Sequence, residues 1–181
     1  MRVLFVDECH LMGGDIEGYV WGRRNQRIEV PIINERERQT YYGALDLLSK
    51  RVFIESQERG NSACTLAYLK FLQLQFPDQR LLVFWDGASY HRSEEVKSAL
   101  DDLNSGLPES QWQIHCIRFA PNDPMQNPIE DVWLQAKTWV RRMAGLKPSF
   151  NGLKALFEKF CALEIFDFPK MHMYGRFSPI K

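Results

Sequence analysis

The sequence predicts an α/β fold: a mixed sheet, an antiparallel meander followed by parallel strands, flanked by helices. Three observations lead there. VLFV (3–6) and LLVFW (81–85) are continuous apolar runs that read as buried central strands, and each is followed by an aspartate. Strand-like segments crowd the first third of the chain, and helical periodicity begins only after Asn61. From there helix and strand alternate, an order that adds strands to a sheet through helical crossovers.

The elements follow in chain order. VLFV opens the sheet. HLMGGDIEG is turn-like, and YVWGRR resumes as a second strand carrying Trp21, Arg23 and Arg24. IEVPII (28–33) is an edge or irregular segment, because Pro31 has no N–H to give a ladder. TYYGALDLL and RVFIES flank Ser49-Lys50 as a hairpin. Past Asn61, Leu66, Leu69, Leu72 and Phe76 recur at helical spacing until Pro77 stops the helix. LLVFW is the next strand. Ser93 then caps a helix with Glu94 and Glu95 in its first turn and Val96, Ala99, Leu100 and Leu103 on one face.

LNSGLPES is a loop and WQIHCIRF a strand. NPIE opens another helix: Asn127 is a favoured cap, Pro128 suits the first helical position, and Glu130 completes a capping box. Ile129, Val132, Trp133, Ala136, Val140 and Met143 form its inner face. Lys147-Pro148 breaks it, and a last helix runs from about Ser149 to Leu163. FDFPKMHMYGRFSPIK has no clear period. The expected division is a domain over 1–165 and a tail over 166–181.

Bulk properties narrow the function. The 181 residues suit one domain, and 45% hydrophobic with 25% charged residues is enough for a packed core. No apolar run approaches a membrane span, and MRVLFVDE is too short for a signal peptide, so a cytoplasmic protein is expected. Cys9, Cys64, Cys116 and Cys161 are scattered and read as free, mostly buried thiols. Cys9-His10 and His115-Cys116 make a poor zinc set, because strand neighbours face opposite ways and each pair offers one ligand. Basic and acidic residues balance at 23 each, which argues against an autonomous DNA-binding module. A catalytic core with local basic patches is still allowed; Arg23, Arg24 and Arg27 form one, Lys137, Arg141, Arg142 and Lys147 another.

Asp7 and Asp86 each end a buried strand, and neighbouring strand ends can bring such residues together. Either alone reads as a turn cap. With Glu130 at the same place, the three carboxylates repel and cannot all stay ionised without compensation. A divalent cation supplies it: Mg²⁺ takes oxygen ligands and is held by one or two carboxylates plus substrate phosphates. Two such ions roughly 4 Å apart serve phosphodiester chemistry in nucleases, polymerases and strand-transfer enzymes.

FVDECHLMGGDIEGYVWG, VFWDGASYHRS and APNDPMQNPIEDVW, in that order, resemble the catalytic core of the DDE transposases, in particular the insertion-sequence-630 and mariner superfamily. In that family the first Asp ends the first strand, the second sits in W/V-x-D-N/G-A-x-x-H, and the third acid lies in N-P-I/V-E at a helix start. The resemblance covers about residues 3–143. It implies a ribonuclease H-like fold, with Asp7, Asp86 and Glu130 as catalytic and metal-binding residues. It implies two Mg²⁺ ions, replaceable by Mn²⁺, and double-stranded DNA as partner, with TA targets and a homodimer that pairs two element ends. The reaction implied is cleavage by water followed by attack of the freed 3′-hydroxyl on target DNA, without a covalent protein intermediate.

Two departures from the family pattern stand out. Between Asp86 and Glu130 lie 43 residues, more than in the best-known mariner members, and LNSGLPESQW is where the extra length is expected. Family members also carry an N-terminal helix-turn-helix region, for which the residues before the first strand leave no room; a fragment, the second frame of a split gene and a degenerate copy are the readings open. His91 is a candidate to contact the scissile phosphate or to orient a water, against a plain polar loop residue. Lys137 and Arg141 return to the Glu130 face of their helix and are candidates to hold DNA, as are Arg23 and Arg24. Glu8 should face away from Asp7, Asp131 serves the helix dipole, and Asp123 is a turn residue. The rivals to a transposase are a nuclease of the same fold and a catalytically idle fragment that pairs with full-length transposase.

Overall fold

The computed structural model describes residues 1–16, 23–25, 37–120, 126–146 and 148–174. Strand β1 (Arg2–Met12) is the centre of the sheet, since Leu4, Phe5 and Val6 are apolar toward both faces and all three are buried. β2 (Arg38–Asp46) pairs antiparallel with β1, and β3 (Val52–Gln57) antiparallel with β2. On the other side of β1 come β4 (Leu81–Trp85) and β5 (Ile114–Arg118), both parallel. The order is β3-β2-β1-β4-β5, three antiparallel strands followed by two reached through helices, as the sequence predicts.

The two faces are covered by different helices. α1 (Ser62–Gln75) and α2 (Glu94–Leu103) pack on Leu4, Val6, Tyr42 and Val83. α3 (Ile129–Arg142) and α4 (Phe150–Leu163) pack on Phe5, Cys9, Tyr41 and Leu45. The cap that the sequence assigns to α2 forms, Ser93 accepting from Val96 N at 3.3 Å, and α4 is capped by Ser149, which accepts from Gly152 N at 3.3 Å. The four cysteines are free. Among the described residues no helix is long and apolar enough to cross a membrane.

Several expectations change. β1 does not stop at Asp7 but continues to Met12, because β2 goes on pairing with it through Met12↔Arg38. The inner face of α1 is turned to Thr65, Tyr68, Leu69 and Leu72, with the Tyr68 hydroxyl satisfied by Phe53 O at 2.7 Å. Residue 165 is not a packing boundary: Phe166 and Met171 are buried in the α3–α4 core, and α5 (Pro169–Tyr174) follows. Of the expected strand YVWGRR, Arg23 lies outside any strand and Arg24 in a turn with Asn25, whose φ is 79°. The rest of that segment, IEVPII, Arg27, Asp123 and Lys147 lie outside the described residues.

Candidate active site

The pairing register brings Asp7 and Asp86 level. β1 and β4 pair from Arg2↔Leu81 to Phe5↔Phe84, a constant offset that, carried two residues further, sets Asp7 opposite Asp86. Pairing ends at Phe5↔Phe84, so both carboxylates lie just beyond it, where β4 leaves β1. Parity then separates the neighbours of Asp7. Asp7 shares the α3 face with Phe5 and Cys9, whereas Glu8 shares the α1–α2 face with Leu4 and Val6.

Asp86 is held by the short helical turn Ser89–Arg92. Its Oδ1 accepts from Ala88 N at 2.9 Å and lies 2.9 Å from His91 Nδ1, a charge contact without the alignment of a hydrogen bond. The other ring nitrogen, Nε2, stands 3.1 Å from Glu8 Oε1, and the Tyr90 hydroxyl donates to Glu8 Oε2 at 2.8 Å. The ring stacks on Trp85 with centroids 4.4 Å apart. Burial alone would depress the His91 pKa, but Asp86 and Glu8 outweigh it and push it up to about 9. In turn His91 holds the Asp86 carboxyl below its ordinary value, against the opposing effect of burial. The side chain of His91 is fully buried while that of Asp86 is 52% exposed. His91 therefore does not reach a phosphate at the surface, as the sequence suggested; it braces the back of Asp86.

Asp7 is gripped from the α3 side. Trp133 Nε1 donates to Asp7 Oδ2 at 3.1 Å. The indole can come so close because β2 carries Gly43 directly opposite Asp7, and a Cβ there would stand 2.6 Å from Trp133 Cζ2. Burial, then the charge of Glu8, raises the Asp7 pKa to about 7, and Asp86 adds to the rise.

Glu130 is placed by the buried Asn127. The Asn127 amide donates to Val6 O at 3.2 Å and its Oδ1 accepts from Ile129 N at 3.4 Å, which ties the start of α3 to β1 one residue before Asp7. Pro128 occupies the cap position, and no bond from the Glu130 carboxylate closes a capping box. The carboxylate is exposed and makes no hydrogen bond or ion pair among the described residues. Its pKa is raised by burial and by Asp131 and Asp86, against the pull of Lys170.

The basic residues singled out in the sequence are mostly occupied. Lys137 Nζ donates to His10 O at 2.6 Å and pairs with Asp15 at 3.0 Å, and Arg141 Nε donates to Asp15 O at 3.1 Å. Both fasten the turn Gly13–Ile16 onto α3. Arg23 and Arg24 are exposed. Sequence reasoning missed Glu8, Tyr90, Gly43 and Trp133, and also Lys170, which pairs with Asp131 at 2.7 Å beside Glu130. Strand parity sets Glu8 on the face opposite Asp7, and that is the face where His91 reaches both acids.

Asp46 shows how this fold treats a carboxylate that merely supports structure. It is fully buried, yet Arg2 at 3.0 Å and the N–H groups of Leu48 and Ser49 satisfy it. At the ends of β1 and β4 and the start of α3, Asp7 and Glu130 instead have no cation in contact among the described residues, and Asp86 keeps an exposed side beyond its contact with His91. Their oxygens suit a hard divalent cation. Among the described residues, no three His, Cys, Asp or Glu side chains already stand close enough to hold an ion together, and Glu130 is exposed.

Comparison with known proteins agrees with this architecture. Mos1 transposase, in its paired-end complex with the left transposon end, matches with a TM-score of 0.64 at 17% identity, over 96% of this chain and 51% of that one. A chain of the simian T-cell lymphotropic virus intasome matches with a TM-score of 0.61 at 14% identity, over 99% and 57%. The catalytic domain of Mos1 mariner transposase matches with a TM-score of 0.55 at 16% identity, over 90% and 71%. The chain thus spans about half the length of the first of these relatives, and the shared fold is the ribonuclease H-like one expected from the motifs. No curated protein sequence matches. Residues 2–149 match the DDE superfamily endonuclease family, and with most of its length in that match the chain belongs to it.

Proposed function

We propose that this chain is the catalytic core of a DDE transposase that cleaves DNA at element ends and transfers the freed strand. The observation that carries the proposal is the shared position of Asp7 and Asp86 where β1 and β4 part, with Glu130 unpaired at the start of a helix anchored to β1. Asp7, Asp86 and Glu130 would hold divalent cations, two Mg²⁺ by preference with Mn²⁺ as substitute; when bound these supply Lewis-acid activation of the attacking oxygen and charge neutralisation at the leaving one.

The residues of the chain do the positioning. Glu8 and His91 fix the rotamer of Asp86, Trp133 fixes Asp7, and the Asn127 bridge sets the distance from which Glu130 turns in. In the first step water adds to phosphorus and the 3′-oxygen leaves as a hydroxyl. In the second that hydroxyl adds to a target phosphorus and another 3′-oxygen leaves, so each step exchanges one P–O bond for another. TA targets, a homodimer that pairs two ends and action in the cytoplasm belong to the same proposal.

The test uses a labelled duplex with a free 3′-hydroxyl, a supercoiled plasmid and Mg²⁺ or Mn²⁺. Joined products support the transposase. Hydrolysis alone supports a nuclease of the same fold, and nicking by Asp86→Ala equal to wild type overturns the site.

A further inference from the structure

A basic cleft flanks Asp86 on the side of the sheet away from α3. Its volume is about 630 Å³, and Ser89, Arg92, Lys97, Leu100, Cys116 and Arg118 line it between α2 and β5. Arg118 is the register partner of Trp85, the residue before Asp86, and shares the α2 face with Ile114 and Cys116. Arg92 ends the turn that braces Asp86. Both arginines are exposed, and neither side chain has a hydrogen bond or ion pair among the described residues. Lys97 pairs with Glu94 at 2.7 Å, but both are well exposed, so the pair yields readily to a stronger anion. Three cations collect here in a chain whose formal net charge is zero. Unpaired guanidiniums in a concave track suit phosphates, which they bind in bidentate fashion.

We propose that this cleft holds the sugar-phosphate backbone of duplex DNA adjoining the scissile phosphate. The inference rests on the DNA-cleaving reading above and adds to it the path of the strand. From Asp7 and Asp86, the strand runs over the end of β4 onto Arg118, Arg92 and Lys97. This surface takes the role that Lys137 and Arg141, engaged by residues 10 to 15, do not fill.

The test is binding of a fluorescent random-sequence duplex, by anisotropy in EDTA, across salt concentrations. Each phosphate contact contributes about 0.9 to the slope of log affinity against log salt. Loss of two contacts in Arg92→Ala/Arg118→Ala should lower the slope by about 1.8, so a fourfold rise in salt weakens wild type about 12-fold more than the variant. Arg51→Ala/Arg80→Ala removes the same charge at the opposite end of the strands, before β3 and β4, and should keep the wild-type slope. Equal slopes for wild type and the cleft variant overturn the proposal, as does an equal fall in the control variant. Wild type that cleaves DNA while the cleft variant binds normally sinks the cleft alone. Binding that depends on the cleft without metal-dependent cleavage sinks the catalytic reading and leaves the cleft standing. Wild type that binds no duplex sinks both. All three proteins should share one thermal unfolding midpoint.

Discussion

Replacing His91 by Gln should remove a specific segment of the protein's pH dependence. His91 is buried with Glu8 Oε1 and Asp86 Oδ1 at 3.1 and 2.9 Å from its two nitrogens. Those partners lift its pKa from 6.5 to about 9 against burial, which corresponds to roughly 3 kcal/mol. The folded state holds this proton more tightly than the unfolded chain. The stabilisation is therefore fully present below pH 6.5 and is lost as pH rises through 9. Urea unfolding in EDTA should show the wild-type free energy falling by about 3 kcal/mol between pH 6.5 and 9.5, while His91→Gln, less stable at pH 6.5, falls much less. Glu8→Gln should lie between the two. Parallel curves for wild type and His91→Gln would refute the claim that the buried imidazole is charged and held by the two acids.

Three further outcomes follow from the same geometry. The Asp7 pKa is raised to about 7, so metal-free protein keeps that proton and metal must displace it; Mn²⁺ affinity by calorimetry should fall up to about tenfold per pH unit below 7, and a flat profile from pH 5.5 to 8 would exclude Asp7 as a ligand. Gly43→Ala drives a methyl into the Trp133 ring, so it should cost at least about 1–3 kcal/mol in unfolding free energy and weaken metal-dependent cleavage together; an unchanged melting temperature would show that the indole does not need the space. Asn127→Ala leaves the buried Val6 carbonyl without its amide donor and should cost about 1–3 kcal/mol by chemical denaturation, with a larger relative loss of cleavage than of stability.

The sheet was legible because its signals are local. VLFV and LLVFW mark central strands by apolarity alone, and the cap Ser93 sits where hydrogen bonding requires it. Asp7, Asp86 and Glu130 stood out as an ordered set of motifs. What escaped depends on residues far apart in sequence. No local pattern says that Gly43 clears space for Trp133, or that Phe166 and Met171 close the core. Helical spacing points Lys137 and Arg141 toward the Glu130 face, but it could not reveal that Asp15 and the carbonyls of His10 and Asp15 engage them. Reading Asn127 and Glu130 as a capping box failed for a related reason. The Asn127 amide donates across to the buried Val6 carbonyl while its Oδ1 accepts from Ile129 N, Pro128 takes the cap position, and no bond from Glu130 completes the box.

The contrast between Asp46 and Asp7 shows where this fold spends its stability. Both sit on the paired strands β1 and β2, Asp46 fully buried and Asp7 half-buried. Asp46 receives a guanidinium and two backbone N–H groups, which makes burial tolerable. Asp7 receives a single indole N–H and faces the negative charge of Glu8 and Asp86. If Glu8 were purely structural, its burial beside Asp7 would be a plain cost. Its ion pair with His91 gives it a purpose: the imidazolium offsets Glu8 and Asp86 together from behind, leaving the exposed side of Asp86 free. The unfavourable charge is thus confined to the side where a cation and a phosphate would relieve it. On this argument Glu8 and His91 are positioning residues of the site, and the sheet's parity is what lets one imidazole serve two acids from the protected face.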